Sequence, residues 1–164
     1  MAKAKAICTC KTCGKEFEVV KYLYGRDDED SYIEYAKEHY TECKDCYRAR
    51  IEEKNASKAK TIIEKYGFPT ITGVSDKQTD YANRLRDEYL AKCDEDDIEY
   101  VAVEYPEVLK TEDAKTYLQD IADSKFDGNI EKAKIDFLKQ YNYYDIWVLL
   151  SESNAGKVID LLKY

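Results

Sequence analysis

The stretches Cys10-Lys11-Thr12-Cys13-Gly14 and Cys43-Lys44-Asp45-Cys46 decide how the first part of this chain folds. Each contains a C-x2-C pair, and two such pairs in one short segment are what a tetrahedral zinc site requires. We expect each pair to form a tight knuckle, with Gly14 supplying the backbone freedom that the first turn needs. Four thiolates leave no open position for a substrate or an activated water. The sequence therefore predicts one structural zinc ion bound by Cys10, Cys13, Cys43 and Cys46.

The same cysteines could instead form two disulfides or remain free thiols. No apolar signal-peptide core follows Met1, which is typical of a protein of the reducing cytoplasm. Disulfides are rare in that compartment, and paired cysteines there favour a metal. We therefore expect a cytoplasmic protein with a metal site.

Two further side chains stand close enough in sequence to replace a ligand. Cys8 precedes Cys10 by two positions, and His39 precedes Cys43 with a spacing that zinc also accepts. We expect Cys8 on the strand that enters the first knuckle, and His39 packed or exposed on a short helix. Cys93 shares a helix face with leucine and tyrosine and is predicted to be a core residue.

The length of 164 residues allows a small metal module followed by a domain of about a hundred residues. We place the module at 1–66 and the second domain at 67–164. The module has few large apolar side chains, so its folding is expected to depend on the ion. Zinc binding contributes roughly 10–16 kcal/mol in finger peptides, more than so small a core supplies. No stretch approaches the length needed to span a membrane.

The module is predicted to contain a strand and two helices. Residues 16–24 alternate between apolar and polar side chains, which indicates a strand that pairs back on the first knuckle. Ser31 and Glu34 form a capping box that opens a short helix to about Tyr40. A longer helix follows the second pair and ends at Tyr66, before Gly67.

The second domain is predicted to be mostly helical with one short strand. Ser75 and Gln78 form a capping box at the start of a helix that reaches Cys93. Residues 98–105 are rich in β-branched and aromatic side chains, predict a strand, and precede Pro106. Further helices are predicted over 114–121, 130–141 and 154–163, with an apolar run at 143–150.

One pair of motifs resembles a known group of proteins. Gly73-Val74-Ser75-Asp76-Lys77-Gln78, continuing to Tyr81-Ala82 and Leu85-Arg86, resembles the "G-[ST]-x-K-Q-x-x-x-A-x-x-[IL]-R" helix opening of small proteins from phages and mobile elements of low-GC Gram-positive bacteria. Residues 153–163 are similar to its companion "S-A-x-x-I-I-D-x-L-K", and residues 10–17 to the zinc-ribbon opening of such proteins. The strand and helix patterns predict an α+β, mostly helical protein with a zinc-ribbon-like module. The resemblance covers roughly a third of the chain, and its motifs identify a scaffold rather than an activity.

Charge is distributed unevenly along the chain. The net charge is −8, residues 27–42 carry seven acids against Lys37, and residues 66–164 carry 21 acids and 12 bases. A net-negative protein gains little from counterion release on DNA, so general duplex binding by the whole chain is not expected. Basic residues flank both cysteine pairs, so local contact with nucleic acid stays open.

No sequence signature of catalysis is present. The chain lacks a P-loop, a nucleophile elbow and an H-E-x-x-H helix, and its single histidine offers little general acid–base chemistry. We therefore predict a binding protein with no small-molecule substrate and no membrane partner, and not an enzyme.

The first binding hypothesis is docking on a basic protein that itself handles nucleic acid. Acidic side chains steer approach to a basic channel, and tyrosines give large contact area at low entropic cost. In composition the chain resembles small acidic phage proteins that inhibit host defence nucleases, the anti-CRISPR class among them, which implies a CRISPR nuclease as one candidate partner in a bacterial host cell. The candidate docking residues are Asp27, Asp28, Glu29, Asp30, Asp94, Glu95, Asp96 and Asp97.

The alternative is direct contact with nucleic acid through the basic flanks of the knuckles. Lysine and arginine would bind phosphates while nearby tyrosines stack on bases. The candidate residues are Lys11, Lys15, Lys44, Arg48 and Arg50. The overall negative charge places this hypothesis second.

Overall fold

The computed structural model describes residues 2–24 and 28–163, which form a mostly helical chain with a small antiparallel sheet at its N-terminal end. This confirms the predicted α+β class. The chain divides into two compact units, Met1–Glu53 (unit 1) and Lys54–Tyr164 (unit 2). The division falls within a long helix, α2 (Lys44–Tyr66), whose last residue is the boundary predicted from sequence. No helix in the described part is long and apolar enough to cross a membrane.

Unit 1 is built on a two-stranded hairpin covered on one face by a helix. Its remaining elements are β1 (Ala2–Thr9), β2 (Glu16–Leu23) and α1 (Glu29–His39). The strands are antiparallel, with Cys8 opposite Phe17, and α1 packs on β1. Side chains alternate between the two faces, so Ala6 and Cys8 turn inward and meet Ala36 of α1 in a small core.

Helix α1 starts earlier than the capping box of Ser31 and Glu34 predicted. Asp28 is the N-cap and accepts hydrogen bonds from the backbone amides of Asp30 and Ser31. The Ser31 hydroxyl itself donates to the Asp28 carboxylate at 2.6 Å. The carboxylate caps more effectively here because it can accept several donors at once.

Unit 2 is a set of packed helices joined by short turns. They are α3 (Asp76–Lys92), α4 (Glu95–Glu99), α5 (Tyr105–Val108), α6 (Glu112–Lys125), α7 (Ile130–Gln140), α8 (Tyr144–Leu149) and α9 (Ala155–Leu162). The predicted helices at 114–121, 130–141 and 154–163 are confirmed, and the apolar run at 143–150 forms α8. The core contains large side chains that are fully buried, including Leu90, Ile98 and Leu149.

The strand predicted at 98–105 is wrong, because the segment is helical. Residues Tyr100–Glu104 form a π-helical segment between α4 and α5. Ile98, Val101 and Tyr105 are all buried, and their spacing of three and four is the period of a helix face. Burial of that face outweighed the strand preference of the β-branched and aromatic side chains.

The two motifs of the resemblance lie side by side in unit 2. The Ser75 hydroxyl caps α3 by accepting from the Gln78 amide at 3.3 Å, as predicted. The Gln78 side chain does not complete the capping box, in which it would accept from the Ser75 amide. It accepts instead from the Val74 amide, at 2.9 Å. Thr72 pairs with residues around Asn154 as a parallel bridge, and α3 packs on α9. These motif residues therefore hold α3 and α9 together.

Candidate metal centre

The four predicted ligands converge at one point of unit 1. Cys10 lies just after β1, Cys13 in the turn that follows, Cys43 just before α2, and Cys46 in the first turn of α2. Their sulfur atoms all lie within 4.8 Å of one another, and the Sγ atoms of Cys13 and Cys43 are 3.8 Å apart. A tetrahedral ion with Zn–S bonds of about 2.3 Å requires sulfur separations of about 3.8 Å. The cluster therefore fits a single four-coordinate ion.

The first pair forms the tight knuckle that the sequence predicted. The Gly14 amide donates to the Cys10 carbonyl at 2.9 Å, and the Cys10 amide donates to the Lys15 carbonyl at 2.9 Å. Gly14 has φ 72°, a left-handed conformation that costs glycine little. The Lys11 amide reaches across to the Thr41 carbonyl at 2.8 Å, so backbone bonding already holds the two cysteine segments together.

The second pair differs from the predicted knuckle, because it lies at the start of a helix. The Tyr47 amide donates to the Cys43 carbonyl at 2.9 Å, which is the first turn of α2. A helix N-terminus carries a partial positive charge and unsatisfied amides, both of which stabilise thiolates. The N-terminus of α2 therefore stabilises the thiolate form of the second pair. In a knuckle between strands, only the amides of the knuckle itself would provide this stabilisation.

The pKa values of two thiols in the cluster shift in opposite directions. Hydrogen bonding from the Cys43 backbone, with further contributions from Cys13 and Thr12, lowers the pKa of the Cys10 thiol to about 6. The pKa of Cys46 is raised, chiefly because its side chain shares hydrogen bonds with Cys43 and Cys13. Thiols that share protons in this way are the groups that a cation deprotonates on binding.

Neither alternative ligand belongs to the four-sulfur cluster. Cys8 is buried in the small core, and its thiol donates to the Ala36 carbonyl at 3.5 Å. The His39 ring stacks on Tyr35 with centroids 4.0 Å apart, and its Nδ1 lies 2.9 Å from the Tyr35 carbonyl oxygen. Cys93 packs against the core of unit 2, as predicted, and burial raises the pKa of its thiol.

The two acidic runs lie at the N-termini of helices α1 and α4. Asp28 caps α1, and Asp94 caps α4 by accepting from the Asp96 amide at 3.2 Å. The remaining acids of each run lie in or beside the first helical turn, where the macrodipole favours negative charge. An aspartate directly before a run of helix formers is a cap signal that could have shown this. Asp27 lies outside the described residues.

Some of the residues predicted to contact a partner protein or nucleic acid already pair with other side chains of this chain. Glu95 pairs with Lys65 at 2.7 Å, and Asp97 is half-buried. Arg50 pairs with Glu42 at 3.0 Å and lies over the Tyr47 ring at 5.3 Å. The other residues of the two sets are exposed, namely Glu29, Asp30, Asp96, Lys11, Lys15, Lys44 and Arg48.

The four sulfurs come from the end of the hairpin and the start of α2, and together they could hold one metal ion. A site closed by four thiolates would leave no coordination position for a substrate.

Comparison with models of known families, with curated proteins and with solved structures finds no match.

Proposed function

We propose that this chain is a zinc-stabilised, non-catalytic binding protein that docks an acidic, tyrosine-rich surface on a basic nucleic-acid-handling protein. One observation carries the proposal: several tyrosine rings of this acidic chain are exposed to solvent. The rings are between 43% and 65% exposed at Tyr22, Tyr24, Tyr35, Tyr40, Tyr47, Tyr117 and Tyr141. Aromatic side chains so placed are enriched in protein interfaces, where they bury large rigid surfaces.

Zinc is the ion that best suits the cluster. Four thiolates in a tetrahedral set select zinc or iron–sulfur chemistry, and the closed geometry matches structural zinc sites. Cys10, Cys13, Cys43 and Cys46 would hold the ion, and binding supplies the free energy that orders unit 1. A protein with such a site performs its function on its surface, since the metal has no free coordination position.

The excess of acids suits a basic partner. Carboxylates at the starts of α1 and α4 project from ordered backbone, so they present a fixed rather than a diffuse negative charge. Such charge accelerates association with a basic surface and suppresses binding to acidic ones. The likeness in composition to small acidic phage proteins that inhibit host defence nucleases supports a host-cell inhibitor, such as an anti-CRISPR protein acting on a CRISPR nuclease.

The test removes charge while keeping the helix caps. Glu29→Gln with Asp30→Asn, and Glu95→Gln with Asp96→Asn, neutralise the first turns while Asp28 and Asp94 continue to cap. The unaltered protein should capture a basic protein from nuclease-treated lysate, and the neutralised variants should capture less of it, with a flatter salt dependence. Capture that vanishes after nuclease treatment, or that is indifferent to both neutralised pairs, would reject docking on protein.

Nucleic-acid contact is the second candidate, favoured by the exposed bases around the metal centre. Lys11, Lys15, Lys44 and Arg48 all lie near the cysteine pairs in sequence, and Tyr47 offers an exposed ring for stacking. Tight binding of bare single-stranded DNA or RNA that weakens steeply with salt, and is lost on changing Lys11 and Arg48 to Gln, would establish this function instead.

A further inference from the structure

A connected set of aromatic rings runs from the core of unit 2 to its surface. Tyr105 stacks on Phe137 with centroids 5.7 Å apart and meets Trp147 edge-on at 5.5 Å. From this interior the network continues through ring contacts of 4.9–6.2 Å to three outer tyrosines. We call these outer rings the aromatic face: Tyr100, Tyr141 and Tyr143.

The π-helical segment explains why an aromatic side chain lies at this surface. The Tyr105 amide donates to the Tyr100 carbonyl, a bond one residue longer than in an α-helix. The following Pro106 has no amide to donate one α-turn back, which favours the wider turn. Val101 and Tyr105 are buried as a result, while Tyr100 stays partly exposed. Segments of this kind are frequent at functional sites.

Carboxylates border the aromatic face. Burial is the main cause that raises the pKa of Tyr143, and the negative charge of Asp97 raises it further. In the same way, burial and then the negative charge of Glu104 raise the pKa of Tyr100. Tyr141 is 51% exposed, so the face is open to a partner. Lys139 lies over the ring of the neighbouring Tyr144, at 4.9 Å from its centroid.

We propose that the aromatic face binds an arginine-bearing segment of the basic partner, an assignment that rests on the proposed function and locates its contact. A guanidinium is planar and weakly hydrated, so it can stack on a tyrosine ring while donating to a carboxylate beside it. An ammonium is more strongly hydrated and has no planar face, so it makes the first contact less well.

The test uses a labelled peptide of alternating glycine and arginine, titrated in fluorescence anisotropy against the full chain. The arginine peptide should bind more tightly than its lysine counterpart. Tyr141→Ala should weaken binding about 3- to 30-fold, and Tyr141→Phe should preserve it, because the ring face and not the hydroxyl makes the contact. Glu104→Gln should weaken binding and flatten its salt dependence.

Tyr117→Ala is the matched control, since Tyr117 is 52% exposed on α6 and has no part in the network. Circular dichroism of each variant checks that the fold survives. Equal effects of Tyr141→Ala and Tyr117→Ala, equal affinity for the two peptides, or no peptide binding at all would overturn the inference. In those cases the proposed function still holds if the variants neutralised in the first turns of α1 and α4 capture less basic protein than the unaltered chain. It is rejected if they capture the same amount.

Discussion

The cores of the two units differ in the size of the side chains they bury. The central cluster of unit 1 consists of the small residues Ala6, Cys8 and Ala36, and the larger side chains packed against it are only partly buried, whereas unit 2 fully buries Leu90, Ile98 and others of similar volume. Buried apolar area contributes roughly 25 cal/mol per Å², so small side chains supply little. We therefore expect unit 1 to depend on a metal ion bound between its cysteine pairs, whereas packing alone stabilises unit 2. The difference teaches that one chain can combine a part that depends on coordination with a part that depends on hydrophobic burial.

Removing one ligand should separate the units most clearly. Cys43→Ser is expected to abolish metal binding and unfold unit 1, because three thiolates cannot close the site and the small core cannot replace it. Unit 2 should stay protected in amide hydrogen exchange. Metal analysis of the unaltered protein should give about one zinc ion per chain.

Cys93→Ala provides the control, since it removes a thiol from unit 2 without touching the cluster. His39→Gln and Cys8→Ala should likewise keep the ion. Freshly reduced protein that contains no zinc, or a Cys43→Ser variant with full protection in residues 2–24, would contradict this account of unit 1.

Truncating the core of unit 2 should give the reverse pattern. Leu90 is 0% exposed, so Leu90→Ala leaves a cavity and should cost about 2–5 kcal/mol of unfolding free energy. Zinc content should stay at the level of the unaltered protein. The measurement is denaturant unfolding followed by Trp147 fluorescence, and loss of zinc in this variant would show that the units are not separable in stability.

A smaller effect is expected at the joint between α3 and α9. A Cβ at Gly73 would lie 2.9 Å from Thr79 Oγ1 and 3.0 Å from the Ala155 Cβ. Gly73→Ala should therefore destabilise unit 2 by about 1–3 kcal/mol through overpacking. Val74→Ala is the neighbouring control, because Val74 is 97% exposed and its loss should be nearly neutral. Equal unfolding midpoints for the two variants would show that the close packing at Gly73 does not contribute to the stability of unit 2.

The smallest effect concerns the cap of α1. Hydrogen bonds from the Ser31 side chain and backbone hold the pKa of Asp28 below its usual value of 3.8. A lowered folded pKa means that the carboxylate stabilises unit 1 above the unfolded pKa, and that this is lost as the pH falls through the folded one. Asp28→Ala should reduce helicity near neutral pH, whereas Asp28→Asn should retain most of it and remove the acid dependence. Circular dichroism from neutral pH to below 3.8 measures both, and identical acid profiles for all three proteins would exclude the cap.

Sequence reasoning succeeded where the signal is local. The spacing of the cysteine pairs predicted a cluster that the structure brings together, and helix periodicity located α3, α6, α7 and α9. It failed at 98–105, because β-branched composition does not reveal that Ile98, Val101 and Tyr105 share one buried helical face. It also began α1 at the capping box of Ser31 and Glu34 instead of at the Asp28 cap, since a cap is recognised only when the helix after it is assigned correctly.

The pairing of Thr72 with Asn154 has a consequence for the order of events during synthesis. The Thr72 amide donates to the Ser153 carbonyl at 2.7 Å, and the Ala155 amide donates to Thr72 at 2.9 Å. Contacts this far apart in sequence cannot form until the ribosome has released the later segment, and closing so long a loop is slow. All four cysteines emerge much earlier, so unit 1 can acquire its ion while unit 2 is still being translated. The supply of zinc during translation, rather than the stability of the finished protein, would then set how much of the chain matures correctly.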